Sequence, residues 1–508
     1  MYTFSSKLKT FSLILMVVGL LGIGYGFISA PKDIKEVEAI LASDAHGSHH
    51  GAEAAHASVE THAVAEAHAT TEEAHASTEV THDTTKVESS TEVAHTATET
   101  TDSVKAPVVA EPVHAATETH EAKTAEHKVD AHAEHQAHLE HVLHQLQNKP
   151  WAALYVACIF FMLVSLGVLA FYAIQQVAQS GWSPVLFRVM QGITAYLPVG
   201  SVIFFVVLVL CGLHFNHLFV WLGEGVTVKG HENYDAIIAG KTGYLNFPFW
   251  IVRAAIFLIG WNLYRYYSRK NCLAQDEAHD DSFYKKNFKI SAGFLVFFIV
   301  TESIMSWDWI MSIDPHWFST LFGWYVFASF LVSGVTIICL TSLYLKSKGY
   351  LEYVNTSHIH DLAKFMFGFS VFWTYLWFSQ FMLIWYANIP EEVTYFVTRI
   401  QDYNLPFFGA VVMNFVFPIL ILINTDFKRI SWVLVMAGTV ILLGHYVDFF
   451  NMIMPGTVGD QWYIGVSEIA SVLFFLGLFI YVVFTALTKA PLLAKRNPFI
   501  EESKHFHY

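Results

Sequence analysis

"ISAGFLVFFIVTESIMSWDWIMSIDPHWFST", residues 290–320, begins as an apolar run and ends in Glu302, Asp308, Asp314 and His316. The apolar part approaches the roughly 20 residues that a helix needs to cross a bilayer. Each ionisable group inside such a helix costs roughly 2.5–3.5 kcal/mol on insertion scales, and it usually faces a partner or a water-filled cavity. The stretch therefore reads as a membrane-spanning helix whose far end borders a polar site.

The rest of the chain agrees. It has 508 residues, of which 54% are hydrophobic and 14% charged, whereas soluble chains carry about 25% charge. The expected class is an all-α polytopic membrane protein of about ten transmembrane helices. Candidate spans are residues 10–29, 151–173, 194–222, 246–267, 288–311, 320–345, 362–388, 405–424, 430–453 and 463–488. If they alternate, Lys7 and Lys9, the Arg265–Lys289 cluster, Lys346 and Lys348, Lys428 and Arg429, and Lys489, Lys495 and Arg496 share one side. That is the cytoplasmic side by the positive-inside rule, so both termini are expected there. The first span reads as a retained anchor (residues 1–30) rather than a cleaved signal peptide.

The net charge of −14 lies mostly in residues 31–149, a low-complexity run such as "HASVETHAVAEAHATTEEAHASTEVTH". A segment this poor in apolar periodicity cannot bury enough surface to offset its ordering entropy. A disordered periplasmic tether is expected, with a helix over about 126–147 leading into the second span. Its histidines allow either metal capture or a compositional role, and no ligand spacing repeats. No basic footprint for nucleic acid exists. Cys158, Cys211, Cys272 and Cys339 form no CxxC or haem-attachment pattern, so no metal site and no covalently bound cofactor are expected.

The same alternation places the intramembrane polar residues toward the periplasmic side. Candidates for proton transfer are Glu302, Asp308, His445, Asp448, Glu468 and Arg253. His214, His217 and Gln380 lie toward the same side. His445 and Asp448 share a helix face at i, i+3, which suits either a proton relay or a local hydrogen bond. Glu302 and Asp308 lie about 120° apart at 3.6 residues per turn, and Ser306 shares the Glu302 face. Arg253 is expected to pair with an acid such as Glu302 or Glu468. Asp314 before Pro315 reads as a helix N-cap.

The block "TESIMSWDWIMSIDPHWFSTLFGWYVFAS" (301–329), the ten-span layout and the His/Ala-rich insert after the first span resemble the NrfD/PsrC-like integral membrane subunits. Within them they resemble the ActF-type subunit of alternative complex III, a bacterial quinol:cytochrome c oxidoreductase. The resemblance covers about residues 150–490 and leaves 491–508 as a cytoplasmic tail. It implies two four-helix bundles, spans two to five and six to nine, with flanking spans one and ten. It also implies a bacterial cytoplasmic membrane, a menaquinone or ubiquinone pool, a paralogous NrfD-like subunit (ActC), an iron–sulfur subunit and multihaem cytochrome c subunits. The role implied is support of quinol oxidation and proton transfer without a redox centre of its own, with His214, His217 and Gln380 as the candidates for quinone contact. Two competing readings are a proton-coupled transporter and a scaffold that docks periplasmic cytochromes.

Overall fold

Ten helices among the described residues are long and apolar enough to cross a membrane. They are α1 (Ser6–Ser29), α2 (Thr119–Val177), α3 (Pro184–Gly212), α4 (Phe247–Gln275), α5 (Ser282–Trp309), α6 (Phe322–Ser347), α7 (Thr356–Ala387), α8 (Asn404–Leu422), α9 (Ser431–Ile453) and α10 (Val466–Leu487). The computed structural model describes residues 2–42 and 119–507, with side chains excluded over 119–134. Residues 43–118, most of the expected tether, lie outside the described residues. The described residues of the insert include a helix over 34–42 and the first part of α2. The protein is an integral multi-pass membrane protein of all-α class.

Hydrogen bonds and ring contacts sort the connections into two groups. Gln147 of α2 donates to the Pro31 carbonyl, its neighbour Asn148 bonds the backbone of His217, Lys241 donates to the Pro315 carbonyl at 2.5 Å, Trp317 stacks on Tyr395 at 4.0 Å, and Trp462 donates to the Asp402 carbonyl. These contacts join the connections that follow α1, α3, α5, α7 and α9 at one end, the His316 end. At the opposite, Ser503 end, Thr3 meets Tyr350, Val185 donates to Ser503, Arg496 to Ala278 and Asn355 to Phe506. This is the alternation that ten consecutive spans require. The Lys/Arg clusters read from sequence fall at the Ser503 end.

Local chemistry sets the ends of the helices. Asn246 accepts from Phe249 N–H and precedes a proline in the first turn of α4. Asn355 accepts from Ser357 and His358 N–H at the start of α7, and the His358 ring reaches back to the Asn355 N–H. Both satisfy donors that a helix start leaves open. α3 stops at Gly212, ten residues before the expected limit of 222. His214 adopts φ +60°, and the N–H groups of His214 and Phe215 return to the carbonyls of Cys211 and Leu210. That pair of bonds closes the helix as a Schellman cap, so His214 and His217 sit in a loop and not in a span.

α2 is the centre of the packing. Tyr155 donates to the Trp309 carbonyl of α5, and the Tyr172 hydroxyl gathers Gln191, Ser268 and Asn287 from α3, α4 and α5. Spans two to five thus form one group. α6 pairs with α7 and α9 in a second group through the polar cluster described below. The two groups meet where Gly167 of α2 faces Gly334 of α6: a Cβ on Gly334 would lie 2.9 Å from the Gly167 carbonyl carbon, and one on Gly167 would strike the Phe330 carbonyl oxygen. Small residues let helix backbones approach in lipid, where packing replaces the hydrophobic drive. α1 lies on α10 by the same device, at Gly19, Gly22 and Gly477.

Candidate functional site

Four of the polar candidates gather in two clusters toward the His316 end. In the first, α5 presents a fully buried Asp308 to Arg253 of α4. The guanidinium Nε and Nη2 donate to the two carboxylate oxygens at 2.7 and 2.9 Å. Arg253 also donates to the Tyr244 carbonyl and lies 4.1 and 4.2 Å from the ring centres of Tyr244 and Phe249. The Asp308 carbonyl takes bonds from Trp250 Nε1 and Ser312 Oγ. Two forked, charge-assisted bonds make this a closed pair. The partner of Arg253 is therefore Asp308, not Glu302 or Glu468, because only Asp308 is turned toward α4.

Glu302, one and a half turns earlier, is also buried, but it points elsewhere. Its carboxylate meets Ser303 at 3.2 Å and Ser306 at 3.4 Å, both on its own helix. No cation lies within ion-pair distance among the described residues. The angular separation expected between the two acids thus corresponds to different surroundings, one neutralised and one not.

The second cluster joins α6, α7 and α9. Asp448 accepts from Tyr325 Oη, from Ser329 Oγ at 2.8 Å and from Trp373 Nε1 at 2.8 Å. Ser329 uses its one proton on Asp448, so the 2.9 Å contact to His445 is an Nδ1–H donating to Ser329 Oγ, a tautomer assigned from the network. His445 Nε2 is buried without a partner. The sequence is then His445 Nδ1–H to Ser329 O–H to Asp448, with His445 and Asp448 themselves 3.8 Å apart. It is a chain of exchangeable protons around one buried carboxylate that has only neutral donors at hydrogen-bond distance.

A small cavity borders Tyr325, and a second adjoins it through Tyr395 and Arg399. The inner one, about 10 Å³, has Tyr325, Gln380, Tyr395, Arg399 and Asn451 in a wall otherwise made of Trp377, Phe396, Phe407 and Met452. That is room for about one water. The outer one, about 80 Å³, shares Tyr395 and Arg399 and adds Thr394, Thr398 and Asp314. Arg399 was not singled out from sequence. It comes from the short helix Pro390–Gln401, donates to the carbonyls of Asn451 and Tyr395, and lies 3.3 Å from the Tyr395 ring centre. No carboxylate is within ion-pair distance of it among the described residues. Burial raises the Tyr395 phenol above its ordinary range, with the Arg399 guanidinium opposing, so Tyr395 stays neutral. The sequence signal for Arg399 was a lone Arg one turn after Tyr395 in an amphipathic segment. Tyr325 and Ser329, i and i+4 on α6, were the corresponding signal there.

The other candidates separate. Gln380 faces the inner cavity, whereas His217 packs on His144 with ring centres 5.8 Å apart. The described contacts do not bring His214 or His217 to Gln380. Glu468 closes the start of α10 by accepting from Gly465 N–H at 2.8 Å. Asp314 caps no helix: its carbonyl accepts from Trp317 N–H in a turn through Pro315, and α6 begins only at Phe322. Proline at the second turn position suits this geometry equally well. His316 pairs at 2.6 Å with Asp235, which itself caps the helix Ala236–Gly240. A third cavity at this end, about 470 Å³, is lined by Lys241, Tyr244, Trp307, Ser312, Trp317 and Phe318 among others. It lies within the usual size range for ligand pockets, and the indole N–H groups of Trp307 and Trp317 have no partner.

The chain matches no family model and no curated protein.

Proposed function

We propose that this membrane protein is the proton-handling subunit of a respiratory quinol:cytochrome c oxidoreductase of the alternative complex III kind. It would lie in the bacterial cytoplasmic membrane with the His316 end outward and both termini inside. The observation that supports this best is the chain His445–Ser329–Asp448–Tyr325 leading to a water-sized cavity and a second one beyond it. An acid held by neutral donors and one histidine can gain and lose a proton without breaking an ion pair. The Arg253–Asp308 pair is, in this reading, a clamp between α4 and α5. Glu302 is a second exchangeable acid.

Quinol, menaquinol or ubiquinol, would be the substrate of the whole assembly. The cavities beyond Tyr325 are too small for its ring. The 470 Å³ cavity has the volume for one, with Trp307 and Trp317 in its wall. His214, His217 and Gln380 do not line it. The partners in this reading are the NrfD-like paralogue, the iron–sulfur subunit and multihaem cytochromes.

One observation favours the transporter reading. α8 contains a π-helical turn, Val412–Val416, whose buried Asn414 has no side-chain partner, and such turns often mark functional sites. Purification of the tagged chain from its native membrane under mild detergent separates the two. Co-elution of haem c and quinol:cytochrome c activity, with lower proton yield in Asp448→Asn, supports the respiratory reading. A haem-free preparation that carries solute into proteoliposomes overturns it.

A further inference from the structure

The Ser503 end holds a cavity of about 720 Å³ between α3, α4 and α10 that the proposed function does not use. Arg265, Arg269, Lys270 and Lys489 line it, and no acidic side chain does. Arg265 Nε is buried with no partner. Arg269 reaches only the Gln191 carbonyl, at 3.4 Å. The neighbouring acid, Asp276, is engaged by Arg188 at 2.6 Å and by the Lys495 N–H. Four cations brought together with no countercharge repel one another, which leaves the cavity suited to an anion.

Its depth identifies the kind of anion. α4 has 29 residues, about 43 Å at 1.5 Å per residue, against a hydrocarbon core of about 30 Å. Counted from Phe247, Arg265 comes at about 27 Å and Lys270 at about 35 Å, which is the headgroup boundary. Tyr266 and Tyr481 flank the cavity, as expected for that level. Below it, Val252, Ile256, Ile259 and Leu263 are exposed. With Tyr266 and Lys270 they follow i+3 and i+4 steps, so one apolar stripe on α4 leads into the cationic cavity.

We propose that this cavity binds the phosphate of an anionic phospholipid, such as phosphatidylglycerol or cardiolipin, with an acyl chain along the α4 stripe. A basic pocket between helices at one membrane face is a known form of lipid-headgroup site. The proposal does not depend on the respiratory reading, because it uses none of the His316-end residues.

The test uses the full chain, delipidated in detergent, with binding followed by native mass spectrometry and thermal unfolding. Phosphatidylglycerol is expected to bind at least about tenfold more tightly than phosphatidylcholine and to raise the melting temperature. Lys270→Gln/Lys489→Gln, both exposed positions, should weaken phosphatidylglycerol binding by about twenty-five-fold if each cation contributes about fivefold. The same pair of changes at Lys285 and Lys286, outside the cavity, should leave affinity within about twofold. Equal affinity for the two lipids, or equal losses in the two double variants, overturns the site. Full stabilisation by inorganic phosphate alone overturns the lipid as its source.

Discussion

Asp308→Asn and Glu302→Gln are chemically the same change, two turns apart at most, yet they should have opposite consequences. Asp308 is fully buried, and its two oxygens accept from Nε and Nη2 of Arg253. Asparagine keeps the shape but leaves a buried guanidinium without countercharge. Breaking a buried pair in this way costs about 3–5 kcal/mol. The Tyr244 carbonyl and the two aromatic faces still hold Arg253, so the lower end applies. About 3 kcal/mol is a shift of somewhat over a hundredfold in the unfolding equilibrium. Glu302 has only two serine hydroxyls as side-chain partners, so Glu302→Gln should stay within about 1 kcal/mol of wild type. Equilibrium unfolding in mixed micelles, followed by circular dichroism, measures both. Arg253→Met/Asp308→Leu should recover most of the loss, since an apolar pair replaces both charges. Proton yield during turnover should fall for Glu302→Gln and remain near wild type in whatever Asp308→Asn protein assembles. Equal stability of the two single variants refutes the division into a clamp and an exchangeable acid. So does a double variant no better than Asp308→Asn.

Three other outcomes are expected. Tyr325→Phe should keep the fold within about 1–2 kcal/mol while slowing proton release, because the hydroxyl is the link between Asp448 and the inner cavity; unchanged release in assembled protein refutes that link. Gly334→Leu should abolish recovery of folded protein in fluorescence-detected chromatography, since its side chain would meet the Gly167 backbone, whereas Gly409→Leu, where nothing lies within 4 Å of an added Cβ, should not. The Asp235 carboxyl is held below its usual value, first by the Ile238 N–H and also by His316 and the Ile237 N–H. Its stabilisation of the Ala236–Gly240 turn is therefore present above the ordinary carboxylate pKa and lost as pH falls through the lower, folded value. Hydrogen exchange at Ile237 and Ile238, corrected for intrinsic rate, should show that loss in wild type and not in Asp235→Asn.

The number of spans and many of their limits could be read from local composition, because insertion into lipid depends on segment length and hydrophobicity. α2, α3 and α4 depart most: α2 begins at Thr119 and not at 151, α4 runs on to Gln275 and not to 267, and α3 spans Pro184–Gly212 and not 194–222. Nothing in the apolar run through Val220 announces that His214 takes a left-handed conformation and closes the helix at Gly212. The pairing of Ser306 with Glu302 and of His445 with Asp448 was legible too, since helical spacing brings them together.

Which acid meets which cation was not legible. Arg253 chose Asp308 because rotation of α5 about its axis is set by packing against α2 and α4, where Tyr155, Trp250 and Trp261 fix it through hydrogen bonds. The surroundings of Asp448 come from α6 and α7, many residues distant, and Arg399 enters from the short amphipathic helix Pro390–Gln401 between two spans. The sequence by itself therefore determined that helices cross the membrane, and which polar residues they carry. Only the tertiary structure decided which of those residues meet a countercharge and which have only neutral partners, since a charge in a low-dielectric interior is governed by the few groups within about 4 Å of it.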